Sequence, residues 1–345
     1  MKSDDHTNQD MQVGQLTGER AAEIDHLSES RRVYNHLDWW KAAEWVGSDL
    51  FSCALIHGKV AAALLAVPVA LDARHDWREE WFCIPGGLGG APTQPQMAFH
   101  ASRLRMAMHP LRTAWLRWCG VADGVSASRV LKALFEYSEA QWIKAGITQI
   151  YSIIEPGHWF DHYLRKNQYA LLDEVVTMIC SPQSRSVQSH PQGVQSHPQA
   201  RSVQSHQMVI RRASDHDLAA VCDVDKNAFE EMWQFPLFIL RRTLATSAYS
   251  TVAEIGERVV GYQMTALTEG DAHITRLAVH TDFQRCGIGG ALLADTMTFM
   301  KLWYDAQHIT LNTQASNQAS QRLYERFGFV ALSPRFRVMG KSLKA

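Results

Sequence analysis

HITRLAVHTDFQRCGIGGALLADTMTFMKLWYDAQHITLNTQASNQASQRLYERFGF, residues 273–329, is the stretch that decides the fold. His273 to Val279 alternates and is rich in β-formers, which predicts a strand. Gln284 then opens a turn that holds Gly287, Gly289 and Gly290. A helix follows, with Leu292, Leu293, Met297, Met300 and Trp303 at spacings of three and four. His308 to Thr313 predicts a second strand. Asn317 to Phe327 predicts a short helix with Ala319, Leu323 and Phe327 on one face. A strand, a glycine turn and a helix N-terminus together make an anion site, because bare N–H groups and the helix dipole point into the turn. Glycine there lets the backbone approach a ligand closely.

These residues carry a resemblance. Gln284-x-x-Gly287-x-Gly289 resembles the pyrophosphate-turn signature of the GNAT superfamily of acetyl-CoA-dependent N-acetyltransferases. The Leu277-Ala278-Val279 strand before it, and Asn317 and Leu323-Tyr324-x-x-x-Gly328-Phe329 after it, match the family in the same order. The resemblance covers about 208–345 and implies an α/β fold, a central mixed α+β sheet flanked by helices. It implies acetyl-CoA as co-substrate. The backbone of Leu277, Ala278 and Val279 would pair with the pantetheine arm. An N–H near Val279 would polarise the thioester carbonyl. The turn Gln284, Arg285, Cys286, Gly287, Ile288, Gly289 and Gly290 would hold the pyrophosphate. Tyr324 would supply or orient the proton for the departing thiolate, and Asn317 would steady the cofactor arm while capping its helix. For the base there are two readings: His273, whose intrinsic pKa suits the task, or an ordered water.

Composition narrows the remaining choices. A chain of 345 residues suits two domains, and 46% hydrophobic content can fill two cores. A net charge of −1 gives no strongly electrostatic partner, so neither nucleic acid nor an anionic membrane is expected. The six cysteines, Cys53, Cys83, Cys119, Cys180, Cys222 and Cys286, form no C-x-x-C pair, so no zinc site or disulfide frame is expected. The polar N-terminus carries no apolar signal segment, and the apolar run Val60 to Leu71 is too short to span a bilayer. A cytoplasmic protein with reduced thiols is the expectation.

Residues 1–15 are expected to form a disordered tail. Residues 16–180 read as a first domain. Within it, Glu19 to Asp38 suggests helix, Ser52 to Ile56 and Val60 to Val69 suggest strands, and Gln96 to Met108 suggests helix. The glycine-rich loop Pro85 to Pro92 is either a connection or a substrate-facing loop. From Ala114 the element order echoes the opening stretch: strand, helix with Val130, Leu131, Leu134, Phe135 and Trp142, strand, short helix, strand. An offset of about 160 residues lays the two blocks together and makes the first half a degenerate GNAT-like domain in tandem with the second. Under that offset Asp123, Ser126 and Ser128 stand near Gln284, Gly287 and Gly289, and Leu164 stands at Tyr324. A carboxylate repels pyrophosphate and β-carbons crowd it, so acetyl-CoA is expected in the second half only. Residues 181–207 repeat Val-Gln-Ser-His at 187–190, 194–197 and 203–206, without an acidic residue, and read as a low-complexity linker. The second domain spans 208–345, from the strand Val209 to Ala213 to a closing strand at about Phe336 to Gly340.

The leading expectation is transfer of acetyl to a primary amine of a small molecule or peptide. The alternatives are an acyl-CoA-binding sensor and an interaction scaffold. The tandem can also replace the dimer that single-domain members form.

Overall fold

The computed structural model describes residues 11–36, 42, 46, 51–68, 112–182 and 208–344. The expectations for residues 1–10, the glycine-rich loop, the 96–108 helix and the repeats of the linker lie outside the described residues. The chain divides into two compact units, Met1–Leu172 with Val338–Ala345, and Asp173–Arg337.

The first unit contains β1 (Met11–Gln15), α1 (Ala21–Ser28), β2 (Arg32–Asn35), β3 (Phe51–Ile56), β4 (Lys59–Pro68), β5 (Thr113–Val121), α2 (Ala127–Lys144), β6 (Gln149–Ile154) and α3 (Trp159–Lys166). β7 (Ala170–Cys180) follows. The second unit continues with β8 (Met208–Arg212), α4 (Leu218–Ala228), α5 (Leu237–Thr246), β9 (Tyr249–Ile255), β10 (Arg258–Thr268), β11 (Asp271–Val279), α6 (Ile288–Tyr304), β12 (Ile309–Gln314), α7 (Gln318–Arg326) and β13 (Val330–Ala331). β14 (Phe336–Ser342) closes the chain. Among the described residues, no helix is long and apolar enough to cross a membrane.

Strand order in the first unit is β1-β3-β4-β5-β6-β14, and in the second β7-β12-β11-β10-β9-β8. Each unit therefore takes one strand from the other half of the sequence. β7 pairs antiparallel with β12, Cys180 opposite Ile309 through Val175 opposite Gln314. Val176 and Met178 bury in the core that holds Leu293, Met300 and Tyr324. β14 serves the first unit: Leu343 N–H donates to Thr148 O, and Lys341 Nζ pairs with Glu139 at 2.6 Å. The compact units thus exchange one strand each across the halves 16–180 and 208–345 read from the sequence. Either strand fits the pattern of either sheet, and only the tertiary partner decides.

Two local expectations change as well. Met11–Gln15 is not tail but an edge strand, paired antiparallel with Phe51–Ile56. The expected helix from Glu19 stops at Ser28, and Arg-Val-Tyr-Asn at 32–35 is strand β2. Val33 and Tyr34 are β-formers, and their partner on β5 lies far along the chain, where local periodicity cannot see it.

The second unit opens on a built N-terminus. Ser214 and Asp217 form a capping box, and Arg211 binds Asp217 at 2.7 Å and Glu254 at 2.6 Å. Arg211 holds the Asp217 carboxyl down at about 2. A carboxylate depressed in the folded state contributes stability above its ordinary pKa and loses it as pH falls toward the depressed value. The thermal midpoint should therefore fall as pH drops from about 5 to about 2, and Asp217→Asn should flatten that part of the profile. An unchanged profile in the variant would show that other carboxylates govern acid unfolding.

Candidate active site

β11 and β12 run parallel, but their register holds only from Ala272 opposite Ile309 to Ile274 opposite Leu311. β11 then continues to Val279 along β10, with Leu277 opposite Gln263 and Val279 opposite Gly261. The two parallel strands splay apart, and the β11 edge from Arg276 to Val279 faces the opening. Peptide groups on such an edge need a partner, and an extended ligand can supply it. The sequence placed Leu277, Ala278 and Val279 on this segment, and the structure brings them to the open edge.

The turn that follows is fixed from inside. Gln284 Nε2 donates to Val279 O at 3.1 Å, so its side chain folds back on the end of the strand. Arg285 and Gly287 both take positive φ, +64° and +82°. Gly287 is the N-cap of α6, and no side chain caps that helix. The N–H groups of the first turn thus have no side-chain cap and are open to water or a ligand, at the positive end of a 17-residue helix. Added β-carbons at Gly289 and Gly290 would meet Leu323, Val279 and Phe327 no closer than 3.4 Å. Their bareness is thus not demanded by the protein's own packing. Cys286 is exposed, with Sγ turned to Gln284 O, as a filler residue of the turn.

Asn317 is the N-cap of α7, its Oδ1 accepting from Ser320 N at 3.1 Å. Tyr324 is 6% exposed, with its ring 5.9 Å from that of Phe329. Burial pushes its phenol up to about 12, so the hydroxyl keeps its proton at neutral pH. Of the residues expected on one face of α7, Leu323 and Phe327 pack near the start of α6, whereas Ala319 is exposed. Trp303, assigned to the buried stripe of α6, is 73% exposed, because the helix has passed the edge of its sheet core by then.

His273 is the largest departure. The uniform alternation expected from His273 to Val279 is broken by a bulge: Met264 faces Arg276 while Thr265 faces Ile274, leaving Thr275 extra. Ala272, Ile274 and Leu277 share one core, and Ala278 belongs to the other with α4. A bulge inverts the parity of everything beyond it. His273 therefore faces the side of α4 and α5, with Arg276 and Ala278. Its Nδ1 lies 2.9 Å from Thr310 Oγ1, and that hydroxyl donates to Ala272 O at 3.2 Å.

Sequence reasoning missed a buried ion pair beside this site. Arg276 donates to Asp225 Oδ2 at 2.7 Å and to Trp233 O at 2.7 Å. Its guanidinium sits 3.6 Å from the Phe229 ring centre and 4.0 Å from that of Phe235. Asp225 also accepts from Phe235 N and from the Tyr262 hydroxyl. The pair fastens the segment from Phe229 to Phe235 to the strand that leads to the open edge. The signal was present: an arginine inside an apolar strand, and an aspartate between valine and lysine in a helix.

A family model described as "Acetyltransferase (GNAT) family" matches residues 218–329. An uncharacterized N-acetyltransferase of Methanocaldococcus jannaschii is 33% identical over 122 residues, 35% of this chain and 78% of the relative. An N-alpha-acetyltransferase of Sulfurisphaera tokodaii is 30% identical over 132 residues, with the same coverage of 35% and 78%. Among solved structures, a tandem GNAT protein from the clavulanic acid biosynthesis pathway is similar with a TM-score of 0.55 at 11% identity, covering 97% of this chain and 99% of that one. A GCN5-related N-acetyltransferase from Sphaerobacter thermophilus is similar with a TM-score of 0.54 at 12% identity, covering 97% and 96%. At such identities the structures speak for the tandem fold alone.

Proposed function

Because the chain belongs to the GNAT acetyltransferase family, we propose that its second unit transfers an acetyl group from acetyl-CoA to a primary amine of a small molecule or peptide, by direct attack in a ternary complex. One observation carries this reading: the open β11 edge runs straight into a turn that ends on an uncapped helix N-terminus. An extended amide arm and a pyrophosphate have those two needs in that order. Leu277, Ala278 and Val279 would hold the arm, and Gln284 through Gly290 the pyrophosphate. Asn317 steadies the far wall.

The bound thioester supplies an activated acyl carbonyl. The neutral amine attacks it, the C–N bond forms and the C–S bond breaks. Val279 N–H favours the charge that develops on the carbonyl oxygen. His273 takes the proton of the amine, and the Tyr324 hydroxyl gives one to the thiolate. The likeness to the N-alpha-acetyltransferase of Sulfurisphaera tokodaii favours a peptide α-amine among the acceptors.

The test is thiol release from acetyl-CoA across a panel of small amines and peptides with free N-termini. Release that depends on the amine and is lost in Gly289→Glu is the expected result. Tight binding of acetyl-CoA with no turnover on any acceptor would replace this reading with that of an acyl-CoA sensor.

A further inference from the structure

The first unit repeats the splay of the second, and its opening is already filled. β5 and β6 run parallel only from Thr113 opposite Gln149 to Trp115 opposite Tyr151, then diverge. This matches the short register of β11 with β12. Beyond it, β5 continues to Val121 with β4 on its other edge, Leu65 opposite Trp118 through Ala62 opposite Val121. On the edge that β6 has left lies β2. Arg32, Val33, Tyr34 and Asn35 pair with Val121, Gly120, Cys119 and Trp118, and His36 N–H donates to Arg117 O at 2.7 Å.

We propose that the first unit's counterpart of the acyl-CoA groove is a strand-binding site occupied from within by β2, so that the folded chain holds one acyl-CoA. The inference rests on the acetyl-CoA reading of the second unit. Three independent anchors follow the whole path such a ligand would take. At the turn between β5 and α2, Arg31 N–H donates to Asp123 Oδ1 at 3.3 Å, and Arg32 donates to Val125 O at 3.0 Å. Along the edge, backbone pairs take the place of an amide arm. At the far wall, His158, the N-cap of α3 as Asn317 is of α7, reaches Val33 O at 3.2 Å. Tyr34 bridges the splayed strands themselves. Its hydroxyl lies 3.1 Å from Leu116 O on β5 and 3.0 Å from Ile153 O on β6, and accepts from Ser152 Oγ at 2.9 Å. A ligand would have to displace all of these contacts and then meet the Asp123 carboxylate at the turn.

The test is hydrogen exchange on the full chain, with and without saturating acetyl-CoA. Without ligand, residues 31–36 should exchange at least about a hundredfold more slowly than an unstructured peptide of that sequence. With ligand, residues 277–290 should gain protection and residues 117–126 should not change. Titration calorimetry should give one equivalent bound, and none in Gly289→Glu. Tyr34→Ala should release the protection of 31–36 while acetyl-CoA affinity stays within about twofold of the parent. Should Tyr34→Ala not fold, Arg32→Ala removes one exposed anchor and should raise exchange at 31–36 in the same direction. Ligand protection at 117–126, a second equivalent bound, or rapid exchange at 31–36 in the parent chain overturns the proposal. Slow exchange at 31–36 with no acetyl-CoA bound anywhere would leave the strand occupant standing and remove the reading of the second unit.

Discussion

Tyr324→Phe is expected to lower turnover by about 10²–10⁴-fold, the range in which positioned acids and bases contribute, while acetyl-CoA binds about as before. The ring stays, so the packing against Phe329 and the core around Leu293 and Met300 is kept. Only the proton is lost, and in the proposed mechanism it acts when the thiolate leaves rather than when acetyl-CoA docks. Because burial holds the phenol at about 12, the parent enzyme should show no loss of this acid between neutral pH and pH 10. Steady-state kinetics with calorimetry of acetyl-CoA separate the two effects. A variant with full turnover would make Tyr324 a packing residue and water the acid.

Arg276→Met is expected to cost about 3–5 kcal/mol of stability. Asp225 is fully buried and would be left as a charge without a counter-ion, while Trp233 O and the two phenyl rings lose the group between them. Against the usual margin of about 5–15 kcal/mol, that is enough to unfold much of the second unit on warming. Arg276→Lys should recover little, because an ammonium can neither fork to both acceptors nor lie flat between two rings. Pairing Arg276→Met with Asp225→Asn removes both charges and should restore part of the loss. Denaturant midpoints of the four proteins decide it. A single variant within 1 kcal/mol of the parent would mean that solvent reaches the Asp225 carboxyl.

The fold of the second unit was legible because its signals are local. Gln284 to Gly290 specify a turn, and Leu292, Leu293, Met297 and Met300 specify a buried helix face whatever lies beyond. The helices α6 and α7 stand where the pattern put them. What escaped the sequence depends on partners far along the chain. The bulge at Thr275, which turns His273 to the other face, arises from how β10 pairs with β11. β2 reads as helix until β5 presents an edge to it. Asp225 and Arg276 are 51 residues apart and meet only when α4 packs on the sheet.

The exchanged strands also set an order on synthesis. As the chain leaves the ribosome, β1 through β6 emerge first, yet the unit they form takes its sixth neighbouring strand from residues 336–342. Until then the β6 edge is an open ladder, the kind of surface on which nascent chains associate wrongly. The second unit has the opposite history, since β7 is made before any other strand of its sheet and waits for β12 to arrive. A ribosome that stalls after β13 therefore leaves the later-made unit supplied with its strands and the earlier-made one unfinished. Strand β14, made after every other described strand, completes the unit whose remaining strands were made before those of its neighbour.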